Sequence, residues 1–166
     1  MQKYDPIPDF AEITPTAKIS TADHGWRAKC LQRLVRLNLP VPATVALPAY
    51  TVRQIAAGHG VDARGILAHF GAMPVISVRP SPENPDWGGP STVLNIGLNA
   101  KRHALLTQTH GAEAADALYQ RFIQSYAVHV ARVDPDLFDG LPTLAEYHAA
   151  VKAHGAALGG ARHERP

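Results

Sequence analysis

Between Gly25 and Asn38 the apolar residues Trp26, Cys30, Leu31, Leu34, Val35 and Leu37 recur at helical spacing, with Arg27, Lys29, Arg33 and Arg36 interspersed. The pattern predicts an amphipathic helix that stops at Leu39-Pro40. Ahead of it, Pro6, Pro8 and Pro15 and the lack of a helical period describe an extended lead-in that adds an edge strand. Val41 to Leu47 reads as a short strand entered through prolines. Two short helices are predicted next, from about Tyr50 to Ala57 and from Asp62 to Phe70, separated by Gly58-His59-Gly60 and closed by Gly71. Pro74-Val75-Ile76-Ser77-Val78 is an apolar strand that delivers Arg79 into a loop. From Pro80 to Pro90 that loop holds four prolines and two glycines in eleven residues, which excludes regular structure.

After Asn99 the texture turns helical. Leu118, Phe122, Ile123, Tyr126, Val130 and Val133 mark one face of a long helix starting near Glu113, where Glu113 and Asp116 suit the helix dipole. Pro135 interrupts it, and Thr143 with Glu146 forms a capping box for a last helix to about Ala153. From Gly155 onward packing periodicity is lost, as in a frayed tail. The expected fold class is α/β (α+β): a lobe with a small sheet over 1–100, a helical subdomain over 101–154 and a flexible tail over 155–166.

With 46% hydrophobic residues in 166, the chain has enough apolar material for a core. Charged residues are only 18% and the net charge is +2, so no strong field argues for nucleic acid or a membrane surface as partner. A single cysteine, Cys30, rules out an internal disulfide, and with no signal peptide or long apolar run this points to a cytoplasmic protein. Cys30 lies in an apolar-periodic segment and reads as a packed thiol. The nine histidines show no metal-ligand spacing with acidic neighbours and read as solvated or locally bonded residues. No Gly-x-Ser-x-Gly nucleophile motif occurs.

Candidate chemistry is therefore local. Arg79, at a strand end before a long loop, presents a guanidinium suited to bidentate contact with phosphate; its plain alternative is an ion pair with Glu83 or Asp86. Arg27 lies in the first turn of the predicted helix, where free N–H groups and the dipole favour an anion, and with Arg79 it would clamp a triphosphate. Its alternative is a solvated helix-face arginine. Gly88-Gly89 would let backbone approach a phosphate, whereas Pro80 removes one N–H donor. Trp87 is suited to stacking on an adenine, to anchoring a partner, or to packing the loop down.

Three blocks in order resemble the nucleotide-binding N-terminal region of the pyruvate phosphate dikinase family. Gly25-Trp26-Arg27-Ala28-Lys29-Cys30-Leu31 with Asn38-Leu39-Pro40-Val41-Pro42 is similar to the family's glycine-glycine-lysine-glycine-alanine-asparagine-leucine turn and the glycine-leucine-proline-valine-proline run that ends its helix. Val75 to Arg79 and Thr92-Val93-Leu94-Asn95-Ile96-Gly97-Leu98-Asn99 resemble the two sides of its phosphate loop, and Leu118 to Tyr126 resembles its tyrosine-arginine-arginine-phenylalanine helix. The resemblance implies an ATP-grasp first lobe, ATP with Mg as cofactor, and kinase or phosphotransferase chemistry. It places Arg27 on the family's phosphate-binding lysine and Gly88, Gly89 and Thr92 in the phosphate loop, while Ser91 replaces the family's aspartate.

The family's second ATP-grasp lobe and its phosphohistidine domain have no counterpart in this sequence. The expectation is an ATP- or phosphate-binding module that does not catalyse alone. Two rivals stand beside it: a regulatory or interaction protein that has lost nucleotide binding, and one subunit of a split phosphotransferase whose missing lobe another polypeptide supplies.

Overall fold

A computed structural model describes residues 9–72, 74–86 and 91–163, with side chains up to residue 155. It is a mixed helix and strand protein whose described residues fall into two compact units. The first comprises those up to Pro74 together with 80–86; the second comprises Val75–Arg79 and those from 91 onward. The strands before and after the loop thus group with the C-terminal helices.

In the first unit the lead-in contributes β1 (Ala11–Glu12), which pairs antiparallel with β2 (Val45–Ala46), and between them lies α1 (Thr21–Arg36). Two short helices follow, α2 (Ala49–Ala56) and α3 (Ala63–Ala68), the latter capped by Asp62. Ile13, Ile19, Ala28 and Ala46 form the core, with Leu31 and Val35 packed against it. The buried stripe of α1 differs from the one expected. Trp26, Leu34 and Leu37 are exposed, and the fully buried Gln32 faces inward. Polar bonding explains the rotation: Gln32 Nε2 donates to the carbonyls of Thr14 (3.2 Å) and Ala17 (2.6 Å), and Lys29 Nζ donates to Ile19 O (2.6 Å) and Gln32 Oε1 (3.1 Å). Arg36 Nε donates to Pro15 O at 2.8 Å. The lead-in makes few ladder bonds, so its carbonyls need these side-chain donors.

In the second unit β3 (Ile76–Val78) pairs antiparallel with β4 (Val93–Ile96), giving a second two-stranded ribbon where one small sheet was expected. Two steps along β3 oppose three along β4, from Ile76↔Ile96 to Val78↔Val93, so β4 carries a bulge. Asn95 takes the positive φ of 56° there, and its side chain donates to Leu118 O at 3.1 Å. Asn99 then caps α4 (Ala100–His110) by accepting from Arg102 N–H at 3.0 Å. The chain reverses at Gly111 into α5 (Ala112–His129), against which β4 packs; Leu94 N–H donates to Ser125 Oγ at 3.2 Å.

A 3-10 turn at Pro135–Phe138 leads to α6 (Leu144–His163), opened by the expected capping box: Glu146 Oε2 accepts from Thr143 N–H at 2.9 Å. Ala127, Val133 and Phe138 form this unit's core, with Ile123, Tyr147 and Val151 around them. Contrary to the expected tail, the helix continues past Ala153 to His163. Ala156, Ala157, Leu158 and Ala161 are strong helix formers and outweigh the two glycines among them.

Candidate functional site

The segment carrying Arg79 is built by strand pairing. Val78 pairs with Val93, the last pair of the ribbon, and Arg79 and Thr92 are the residues that leave this pair on the two sides of the loop. Arg79 is exposed and Thr92 half-buried. Gly88 and Gly89, with Trp87, lie outside the described residues.

Arg27 belongs to the first unit, exposed on α1, and makes no ion pair with a described carboxylate of that unit. Its surroundings differ from the open helix start expected from sequence. Gly25, at φ 78° and ψ 172°, breaks α1 so that a fresh helical turn starts at Trp26. Two N–H groups of that turn are already engaged: Trp26 N–H donates to Pro82 O at 2.7 Å and Ala28 N–H to Ser81 Oγ at 3.0 Å. A Cβ on Gly25 would overlap the Ser81 backbone. The first half of the loop is thus seated on the helix start, and Ser81 holds a position that an anion oxygen would otherwise take. Trp26 itself lies outward under the Arg33 guanidinium, 5.2 Å from its ring centroid. Lys29 is bound to Ile19 O and Gln32, so its ammonium is a structural tie.

Beside these, the second unit contains a pairing that sequence spacing missed. His103 Nε2 lies 2.6 Å from Asp116 Oδ1, across the α4–α5 reversal at Gly111. The Tyr119 ring stands between two histidines, 5.5 Å from His103 and 5.3 Å edge-on to His148. Only the reversal brings His103 and Asp116 together; a sharp turn at Gly111 between two helical segments was the one available signal. The pair fixes the helix hairpin and orients the imidazole.

His24, buried at the start of α1, accepts from Ser20 N–H at 3.4 Å. Burial lowers its pKa below the ordinary 6.5, opposed by the adjacent Asp23 carboxylate. Among the described residues no group of three His, Cys, Asp or Glu side chains is placed to hold a metal ion, and no helix is long and apolar enough to cross a membrane. Compared with protein-family models and with curated proteins, the chain matches none.

Proposed function

We propose that this chain is an ATP- or phosphate-binding module related to the N-terminal region of pyruvate phosphate dikinase, with the ATP-grasp first lobe as its finer fold. The observation that carries the reading is the Val78↔Val93 pair, past which Arg79 and Thr92 leave the ribbon on the two sides of the loop. A guanidinium supplies two parallel N–H donors to a phosphate, and a threonine hydroxyl adds a third. The resemblance also calls on Arg27, which is exposed on α1, and on Gly88 and Gly89, which lie outside the described residues.

The magnesium that the reading calls on would be held mainly by the nucleotide phosphates and water, as this ion commonly is. Phosphoryl transfer needs charge neutralisation by positioned groups, so the chain alone is read as binding without transferring. A split phosphotransferase is the second reading. Val78 at the end of β3 and Val75 just ahead of that strand, 54% and 41% accessible, favour it, because exposed apolar side chains beside the ribbon suit a docking lobe.

Calorimetric titration of the full chain with Mg-ATP, alongside Arg79→Ala, tests the proposal. Binding that weakens about ten- to hundredfold in the variant is the expected result for losing a charge-assisted contact. No heat with the wild type, or equal affinities in the two proteins, overturns it.

A further inference from the structure

Helices α5 and α6 enclose a groove of about 480 Å³ that is independent of the phosphate-site reading. On α6, His148, Val151, Lys152 and Gly155 follow the i, i+3, i+4, i+7 spacing of a single helix face. Phe122, Ile123 and Tyr126 of α5 form the opposite wall. The size falls in the range of roughly 300–1,000 Å³ typical of small-molecule sites.

We propose that this groove binds a small amphipathic carboxylate, with its apolar body between the helices and its head at Lys152 and His148. Charge complementarity selects that ligand. The walls are apolar, the polar groups at the rim are Lys152, His148 and His154, and none of the described lining residues is acidic. The exposed Lys152 ammonium offers a carboxylate a charge contact that a neutral ligand cannot use, and it repels a cation. The head site is partly preorganised, because the His148 ring is held edge-on to Tyr119 at 85° and 5.3 Å. Tyr126 is 47% exposed beside Phe122, its ring centroid 5.9 Å away, and gives the ligand body an aromatic surface. Gly155 lines the groove, and a Cβ there would meet nothing within 4 Å, so a larger side chain can be placed at that position without a clash.

Calorimetric titration of the full chain with decanoate, below its micelle-forming concentration, tests the assignment, with decylammonium as the charge-reversed probe. Decanoate binds and decylammonium does not. Lys152→Glu weakens decanoate about tenfold, as for inverting one partly exposed charge contact. Gly155→Leu fills the groove and abolishes binding, while its far-ultraviolet circular dichroism keeps the wild-type helix signal. Absence of decanoate binding, equal binding of the two probes, or undiminished binding by the folded Gly155→Leu protein overturns the proposal.

Discussion

Replacing Gly25 by alanine tests how the start of the loop is seated on α1. Two costs act at that position. The backbone sits at φ 78° and ψ 172°, a region essentially reserved for glycine, and forcing a Cβ into it costs about 1–3 kcal/mol. The added methyl also overlaps the Ser81 backbone, so the loop must move away. Moving it forfeits the Trp26 N–H to Pro82 O and Ala28 N–H to Ser81 Oγ bonds, each worth about 0.5–1.5 kcal/mol. The combined loss is about 2–6 kcal/mol, a large part of the roughly 5–15 kcal/mol that holds a protein of this kind folded. Gly58→Ala separates the two costs. Gly58 has a similar φ of 89° but nothing within 4 Å of an added Cβ, so only backbone strain acts there. Urea unfolding followed by tryptophan fluorescence reads both variants, Trp26 lying next to the altered site. Gly25→Ala lowers the midpoint by about 0.3–3 M beyond Gly58→Ala, from about 1–3 kcal/mol of lost hydrogen bonds and slopes of about 1–3 kcal/mol per molar urea. Equal midpoints for the two variants would refute the seating of the loop on the helix.

Thr51 is buried with a hydroxyl that has no partner among the described residues, so Thr51→Val raises stability by about 1 kcal/mol, read as a higher urea midpoint. Gln32→Met keeps the volume but strips the donors from the Thr14 and Ala17 carbonyls and the acceptor from Lys29, and costs about 2–4 kcal/mol in the same assay. For His24 the folded pKa lies below 6.5, so its contribution is fully present above 6.5 and is lost as pH falls from there toward its own lowered value, where the unfolded chain binds the proton first. His24→Asn retains an acceptor for Ser20 N–H, and its stability falls less than that of the wild type between pH 7.5 and 5.

Helices and breakers were legible because they are local. The proline and glycine punctuation located α2, α3 and the loop, and Thr143 with Glu146 announced the start of α6. What escaped depends on distant partners. Gln32 reads as a surface residue in a helical window, yet the carbonyls of Thr14 and Ala17, far back in the chain, draw it inside and turn Trp26 and Leu34 outward. The His103 to Asp116 bond needs the reversal at Gly111, and the engaged helix start needs Ser81 and Pro82 brought back to Trp26 and Ala28. Of the candidate site, the strand before the loop was legible, whereas its pairing with β4 and the bulge between Ile76 and Val78 depend on a partner across the loop and were not.

The residues behind the dikinase resemblance divide by what the fold already asks of them. Gly25 is required by its backbone angles and the approach of Ser81; Asn95 forms the bulge of β4, and Asn99 caps α4. Ser125 anchors β4 through Leu94 N–H. A protein that had abandoned nucleotide binding would keep all of these simply to fold. Arg79 is different, because it is exposed just beyond the end of β3 and no packing in its own unit depends on its guanidinium. An exposed arginine outside the core changes stability by at most about 0.5 kcal/mol when replaced by alanine. Any larger effect of Arg79→Ala on Mg-ATP binding, at unchanged urea midpoint, therefore reports ligand contact alone. The opposite pattern, a shifted midpoint with unchanged affinity, would return Arg79 to the scaffold and leave the interaction-protein reading in its place.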